Sequence, residues 1–279
     1  PTVSPAALSA HHPLRGTGKV RAHAIAAASA AAGGGTGARL CKSRKVSVNL
    51  MLTITILTEN RVRQTGLLAE HGLSFWLEMG RERVLFDMGQ SDVYVHNADK
   101  LGIDLGRAQT LVISHGHYDH GGGLAFFPSD ARWPRVFIHP DALLQKFSQS
   151  DRSDLPHHPI GFPWRVEELE HLERRLMLNT ATMQVNDDMV ILSSIPRTNA
   201  FETVSPSLLV ERNGHIAADD MADEQLLVCD LPQGLIVIVG CSHPGIVNSL
   251  EYVRSIYPNR PINAVIGGMH LEQASPERM

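Results

Sequence analysis

The sequence predicts a mixed α/β domain built from layered sheets, and three observations support this class. From residue 51 onward there are repeated short runs in which every residue, or every second residue, is apolar. Such runs are typical of strands. Longer segments with an apolar stripe at helical spacing lie between these runs. The order begins with strands, continues with intervening helices and returns to strands, as in domains whose helices cover sheets.

Residues 1–50 differ in character from the rest of the chain. They contain seven basic residues and no acid, and residues 24–38 form a low-complexity run, AIAAASAAAGGGTGA, that cannot bury a core. We expect a disordered or targeting extension here and one folded domain over residues 51–279. Three interpretations of the extension stay open: an organellar transit peptide, a secretory signal cleaved near Ala28-Ser29-Ala30, or translation that starts at Met51.

The first half of the domain begins with a hairpin of strands followed by a helix. Threonine alternates with apolar residues in the first run, which is typical of a half-buried strand. A tight turn at Gly80-Arg81 joins the next two strands, and Ser91 and Gly102 mark the ends of the helix. The predicted elements are strands over 52–58, 74–79, 83–89 and 110–114 and a helix over 91–102.

The second half adds strands and ends with a helix and a strand. Residues 148–188 contain a long polar stretch, and loops of this kind often shape substrate sites. Residues 231–233 form the turn of a hairpin, and Pro244 lies in the first turn of an amphipathic helix. The predicted elements are strands over 135–140, 188–194, 206–211, 224–230, 234–240 and 262–268, and helices over 141–147 and 244–257.

Composition excludes several classes of protein. Residues 51–279 hold 18 of the 25 basic residues and all 29 acidic ones, a net charge of −11, so a nucleic acid is disfavoured as the partner. No run approaches the roughly 20 apolar residues that a membrane span needs. Three scattered cysteines do not make a disulfide framework. We therefore expect a cytoplasmic protein, or an organellar one if the extension is a transit peptide.

Four potential metal ligands follow strand 110–114 within six positions. The segment SHGHYDHGGG contains His115, His117, Asp119 and His120. Imidazole and carboxylate ligands together suit zinc, iron or manganese. A lone histidine is usually a core or surface residue, but four such groups at this spacing indicate a metal site. We expect the first two histidines to bind one ion and the last two ligands to reach a second.

Further ligands must come from elsewhere in the chain, and two histidines follow predicted strands directly. These are His243 in GCSHPG and His270 in GGMHL. Cys241 is a weaker candidate, because small cysteines at strand ends are commonly buried for structural reasons. Asp87 in LFDMG also follows a strand. We expect it to accept a hydrogen bond from a ligating imidazole and so to fix its tautomer.

These motifs resemble the metallo-β-lactamase superfamily, and the finer pattern resembles its branch of dihydropterin–ribofuranosylaminobenzene-phosphate synthase-like proteins. The likeness extends over 51–279. The motifs that carry it are AEHGLSFWLE (69–78), LFDMGQS (85–91), NADKLGID (97–104), SHGHYDHGGGL (114–124), SIPRTNAFE (194–202), DEQLLV (223–228), GCSHPGIVN (240–248) and IGGMHL (266–271).

The resemblance implies an αββα sandwich with two metal ions, most commonly zinc, at one edge of its sheets. It implies that one ion is held by His115, His117 and His243. The other ion is then served by Asp119, His120 and His270. Members of the superfamily branch continue to a further histidine, and this sequence stops at Met279. We therefore expect either that the domain lacks its C-terminal end or that the second ion has too few ligands.

The expected activity is metal-dependent hydrolysis. A metal-bound hydroxide would attack an ester, thioester, lactone or phosphodiester of a small molecule, and Asp119 would orient it. Arg197 is the candidate for binding an anionic group of that molecule, because guanidinium forks match phosphate and carboxylate. The alternatives are a synthase-like transferase, as the branch name implies, and a metal-binding module without turnover.

Overall fold

Alternating apolar side chains place strands from both halves of the chain in two sheets that face each other. A computed structural model describes residues 19–21, 50–149 and 157–271. Its strands are β1 (Lys19–Arg21), β2 (Leu52–Thr58), β3 (Ser74–Met79), β4 (Glu82–Phe86), β5 (Thr110–Val112), β6 (Arg135–Ile138), β7 (Lys146–Ser148), β8 (His158–Pro159), β9 (Leu176–Leu178), β10 (Met183–Asn186), β11 (Met189–Leu192), β12 (Leu208–Arg212), β13 (His215–Ala218), β14 (Leu226–Leu231), β15 (Gly234–Val239) and β16 (Ile262–Gly267).

Helices are short in the first half and longer near the end. They are α1 (Val93–Lys100), α2 (Tyr118–Gly121), α3 (Leu172–Arg175) and α4 (Ile246–Ile256), with 3-10 turns at Leu105–Arg107, Gly122–Phe126, Pro140–Leu143 and Val166–Glu168. Among the described residues, none of these helices has the length and apolar character needed to cross a bilayer.

The first sheet has the strand order β1-β2-β3-β4-β5-β6-β9, and the second has the order β10-β11-β14-β15-β16. The first sheet is antiparallel through β4 and parallel from β4 to β9. In the second sheet only the pair β15–β16 is parallel. A third, smaller sheet has the order β13-β12-β7-β8.

Buried side chains divide into three layers of core, which makes the architecture αββα. Between the sheets, residues such as Leu77 and Phe86 pack against Ile191 and Ile238 of the second sheet. The outer face of the first sheet packs against α1, and the outer face of the second packs against α4. This arrangement confirms the predicted layered α/β class. Parallel strands end at the same edge of their sheet, and this edge carries the candidate ligands.

One predicted element is wrong. Residues 141–147 were expected to form a helix, but Pro140–Leu143 make a 3-10 turn and Lys146–Ser148 form β7. The chain turns because β7 pairs with β12, with Phe147 opposite Leu209. A partner more than sixty positions away decides this local structure, and no short-range pattern reveals it.

Helix α1 begins at a different residue from the predicted cap. Asp92 occupies the N-cap position, and the Ser91 hydroxyl instead donates a 2.5 Å hydrogen bond to Glu70. Gly102 follows the helix with φ +68°, in agreement with the predicted stop. In the predicted N-terminal extension, only Lys19–Arg21 fall within the described residues, where they pair antiparallel with β2. The rest of that extension lies outside them.

Candidate metal centre

The predicted ligands meet at one edge of the sandwich because each follows a strand of one of the two sheets. His115 and the turn behind it follow β5, whereas Cys241 and His243 follow β15. His270 follows β16, which runs parallel to β15. Parallel neighbours end at the same edge, so loops from both halves of the chain converge there.

The two histidines that precede α2 face each other. His115 Nε2 lies 3.0 Å from His117 Nδ1, and both side chains are buried. A tetrahedral zinc ion with bonds of about 2.0–2.1 Å would hold two ligand nitrogens about 3.3 Å apart. The spacing of the two rings is therefore close to the one that a shared ion requires.

Asp87 fixes the orientation of the His120 ring directly and that of the His115 ring through Ser114. Its carboxylate is fully buried and accepts hydrogen bonds from the Ser114 amide and hydroxyl, both at 2.7 Å. It also lies 2.7 Å from His120 Nδ1, while the Ser114 hydroxyl lies 2.9 Å from His115 Nδ1. Both histidines are thus contacted through Nδ1, which directs their Nε2 atoms toward the site.

The second half of the chain brings two more imidazoles and a thiol. The ring of His243 lies 4.9 Å from those of His115 and His117, and the His270 ring lies 4.7 Å from that of His243. Cys241 Sγ lies 3.1 Å from His120 Nε2. Cys241 is a weaker candidate on sequence grounds, but its thiol lies among the candidate donor atoms in the structure.

Three groups in the described residues have ligand atoms within 4.8 Å of one another. They are His115 with His117 and His243, His115 with His120 and Cys241, and Cys241 with His243 and His270. Cys241 is common to two groups and lies between them. The geometry therefore joins His270 to Cys241 and His243, while the expected grouping of His270 with Asp119 and His120 stays a prediction.

Asp119 is placed by two imidazoles and lines the opening of the site. Its Oδ2 lies 3.4 Å from His120 Nε2 and 3.4 Å from His71 Nε2. Burial by itself would raise the pKa of Asp119, but the charge of the neighbouring His120 outweighs this and holds the pKa well below its usual range. Asp119 is therefore ionised at neutral pH and acts only as an acceptor.

Burial keeps three imidazoles in the form that binds metals. It lowers the pKa of His117 to about 4 and lowers the pKa values of His115 and His243 well below their usual range. A neutral imidazole has a free lone pair, and metal ligation requires it. At neutral pH these three side chains are ready to coordinate without first losing a proton.

Two buried ring nitrogens test whether the residues fit an ion. His117 Nε2 and His243 Nε2 are buried, and neither has a hydrogen-bond partner among the described residues. Buried polar atoms are nearly always paired, because each unpaired one costs about 1–3 kcal/mol. His117 already turns Nδ1 toward His115, so His243 Nε2 is the unpaired nitrogen that fits an ion, together with the imidazole, thiol and carboxylate donors of a transition-metal site.

A buried ion-pair network that the sequence analysis missed supports the ligand turn. Lys146 Nζ has no exposed surface and lies 2.5 Å from Asp219 and 2.8 Å from Asp223. The other oxygen of Asp223 accepts a 2.7 Å hydrogen bond from the amide of Gly116, between the two facing histidines. A Cβ at Gly116 would lie 2.5 Å from the Ala142 carbonyl oxygen, so the turn packs tightly on this network.

Glu224 gives the corresponding support on the other side of the site. Its buried carboxylate accepts hydrogen bonds from the amides of Ser242 and His243, at 2.6 and 2.9 Å. Ser242 has φ +58°, and His270 has φ +44°. Such conformations are uncommon outside glycine and persist where the surroundings impose them. The DEQ motif at 223–225 was visible in the sequence, but nothing there assigned it a role.

The opening of the site is a small cleft of about 220 Å³. Its lining residues are Glu59, Asn60, His71, Gly72, Leu73, Asp119, His120, Gly240, Cys241, Gly267 and Gly268. Arg197 is not among them. It is exposed and donates a hydrogen bond to the Asp220 carbonyl beside a different cavity. The structure therefore does not bring Arg197 to the metal ligands.

Comparisons with known proteins identify the family to which this fold belongs. The family model described as the metallo-β-lactamase superfamily matches residues 68–189. A solved structure described as a metal-dependent hydrolase of the β-lactamase superfamily is 33% identical, with a TM-score of 0.66, covering 81% of this chain and 80% of that one.

Two curated relatives come from Methanocaldococcus jannaschii. One is an uncharacterised protein, 29% identical over 78% of this chain and 79% of its own length. The other is named 7,8-dihydropterin-6-methyl-4-(β-D-ribofuranosyl)-aminobenzene-5'-phosphate synthase and is 29% identical over 76% of this chain and 74% of its length. The matching fold, the ligand motif and a relative above 30% identity over most of its length together show that the chain belongs to the metallo-β-lactamase superfamily.

Proposed function

We propose that the chain is a metal-dependent hydrolase that cleaves an ester, thioester, lactone or phosphodiester bond in a small molecule. The observation that carries the proposal is the group of His115, His117 and His243, whose ligand nitrogens lie within 4.8 Å of one another, together with the buried, unpartnered Nε2 of His243. The similarity to a solved metal-dependent hydrolase over four-fifths of both chains supports it.

The donor set suits two divalent ions, most simply zinc, with iron or manganese as other choices. His115, His117 and His243 would hold one ion, as their mutual distances allow. Asp119 and His120 would serve the other with His270, and Cys241 lies where it would contact both. When bound, such ions lower the pKa of a coordinated water to about 7 and polarise a carbonyl or phosphoryl oxygen.

The protein's own groups would orient the reactants. Asp119 is ionised and lines the cleft, so it would accept a hydrogen bond from the attacking water and orient the water oxygen toward the substrate. The glycines that line the other wall, Gly240, Gly267 and Gly268, have no side chain and would let a substrate approach the ligands closely. The cleft of about 220 Å³ matches a small reacting group, with the rest of the substrate lying outside.

The test is a substrate panel with matched variants. Purified, zinc-loaded protein is assayed against a phosphodiester, a lactone and a thioester, together with His117→Ala and His215→Ala variants. His215 is exposed on β13 and serves as the control. We expect hydrolysis of at least one class, about two metal ions per chain, and loss of both in His117→Ala alone. Full activity of metal-free His117→Ala would refute the mechanism.

A second candidate is the synthase reaction, which the name of one curated relative favours. That relative and the solved hydrolase have similar identity to this chain, so similarity does not choose between them. Incubation with a dihydropterin and a ribofuranosylaminobenzene phosphate, followed by mass spectrometry, separates the two. A joined product without hydrolysis of the panel would favour the synthase. Metal binding without any turnover in either assay would favour a non-catalytic metal-binding module.

A further inference from the structure

An arginine-rich pocket lies at the edge of the first sheet opposite the metal centre. Strands β5, β6 and β9 are parallel, with Thr110 opposite Arg135 and Val136 opposite Leu176. The residues before these strands therefore share one edge, while the metal ligands follow the other end of β5. This starting edge carries a cavity of about 370 Å³.

Four arginines line this cavity. Its lining residues are Gly106, Arg107, Ala108, Gln109, Arg132, Trp133, Pro134, Arg135 and Arg175. The domain around the pocket has a net charge of −11, whereas four arginines and no acid line the pocket. The pocket is therefore a positively charged site in an acidic domain. Guanidinium groups attract and orient anions through paired N–H donors.

These arginines do not form ion pairs with acidic side chains of the described residues. Within the described ranges, no carboxylate lies within the 4.0 Å ion-pair distance of Arg107, Arg132 or Arg175. Their neighbour Arg83 differs, because its Nε lies 2.8 Å from Glu78. An adjoining depression shares Gly106 and Arg132 and carries three acids, Asp99, Asp104 and Asp130. Asp104 accepts a hydrogen bond from the Gly106 amide, and Asp99 lies 3.9 Å from Lys100.

Side chains that line the pocket are held in place by contacts with their neighbours. The side-chain oxygen of Gln109 accepts a hydrogen bond from the backbone amide of Arg83, and the backbone amide of Gln109 donates to the Arg83 carbonyl. Arg135 is fixed over the Phe137 ring, 5.4 Å from its centroid. The indole N–H of Trp133 is buried and has no hydrogen-bond partner among the described residues. The Trp133 ring packs against Phe127, 5.3 Å between ring centroids, so this wall of the pocket is held by the core.

We propose that this pocket binds the phosphate group of a small organic phosphate at a site separate from the metal centre. A cavity of about 370 Å³ falls within the roughly 300–1,000 Å³ of small-molecule sites. Its concave shape and the acidic surroundings favour a compact phosphate over an extended nucleic acid. The arginines supply both the charge and the N–H donors that give directional bonds.

The test is calorimetric titration of the full, metal-loaded chain with inorganic phosphate, AMP and adenosine. We expect phosphate and AMP to bind at one site and adenosine not to bind, because only the phosphate group is recognised. An Arg132→Gln/Arg175→Gln variant should bind at least about tenfold more weakly, since two charge-assisted contacts are removed. Arg254→Ala removes a charge on the exposed side of α4 and should change nothing.

Phosphate also binds metal centres, and His117→Ala separates the two sites. Unchanged AMP binding in His117→Ala supports the arginine pocket, and loss of binding there would overturn it. Absence of binding by the unaltered protein, or equal binding by the double arginine variant, would also overturn the proposal, as would tighter binding of a single-stranded oligonucleotide than of AMP. If the double variant does not fold, Arg107→Gln at an exposed turn position replaces it, and an affinity equal to that of the unaltered protein would refute the proposal.

Discussion

At the scale of single residues, Cys241 is surrounded by candidate metal-binding histidines. Its thiol lies 3.1 Å from His120 Nε2 and belongs to two of the three donor groups. Burial raises the pKa of the Cys241 thiol, and the nearby His120 opposes this. A bound cation would shift the balance further toward the thiolate, which is the form that coordinates.

We predict that Cys241→Ser weakens metal binding about tenfold or more, because a hydroxyl is a poorer ligand for zinc than a thiolate. Loading the protein with cobalt gives a direct readout, since sulfur ligation produces a charge-transfer absorption that the serine variant should lack. Cys229→Ala is the control, because Cys229 is buried between the sheets and lies outside the donor groups. The same absorption in Cys241→Ser would show that the thiol is not a ligand.

Lys146 acts on the ligands from a distance. Its buried ammonium holds Asp219 and Asp223, and Asp223 in turn accepts from the Gly116 amide between two histidines. We predict that Lys146→Met destabilises the fold by about 3–5 kcal/mol, since it leaves buried carboxylates without a partner. Urea unfolding measures this loss.

An exposed arginine in the same sheet provides the control for Lys146. Arg212→Met breaks a pair with Asp141 that is exposed to water, and pairs of this kind contribute about 0–1 kcal/mol. Metal affinity should fall in Lys146→Met and stay unchanged in Arg212→Met. An equal loss of stability in both variants would show that burial does not matter here.

At the scale of elements, helix α1 packs against the first sheet with a hydroxyl that has no partner. Tyr94 has no exposed surface, and among the described residues nothing pairs with its Oη. Burial raises the pKa of this phenol well above its usual range. Tyr94→Phe should therefore leave stability unchanged or raise it by about 1 kcal/mol, because it removes an unsatisfied polar atom. Thermal unfolding decides, and a clear loss of stability would reveal a hidden hydrogen bond.

The sequence predicted most elements of the two large sheets because their signals are local. Strand β2 shows alternation within seven residues, and α4 shows its apolar stripe within three turns. By contrast, β7 follows a turn and has no pattern of its own, and it is a strand because it pairs with β12 on one side and β8 on the other. Local patterns therefore found the sandwich and one strand of the small sheet, β12, but not β7.

The residues of the candidate site also fall into two groups: those that the sequence indicates, and those that only the fold brings to the site. His115, His117, Asp119 and His120 are close in sequence, so their spacing was enough to indicate a metal site. Lys146, Asp223 and Glu224 reach the site only through the fold, because the Gly116–Asp223 contact spans 107 positions. Such supports are ordinary charged residues in the sequence, and only the three-dimensional contacts distinguish them.

At the scale of the whole molecule, the two sheets are joined by polar contacts beneath the site. Gln225 is fully buried, and its side-chain amide donates to the carbonyls of Ile113 and Phe137 in the first half of the chain. Its backbone amide donates to Ser114. The ligands above come from both halves as well, so a bound ion would add a further connection between them.

Removal of the metal should therefore lower the stability of the whole fold, not of one loop. A ligand that binds only the folded state at about 100 times its dissociation constant stabilises it by about 2.7 kcal/mol. For a domain of this size that corresponds to a fall of about 5–10 °C in Tm when a chelator removes the ions. Differential scanning calorimetry, with zinc restored in a second scan, measures the shift. His215→Ala should show the same shift, whereas His117→Ala should show little, because it has already lost its ion. An unchanged Tm in the unaltered protein would mean that the donors from the two halves do not share a cation.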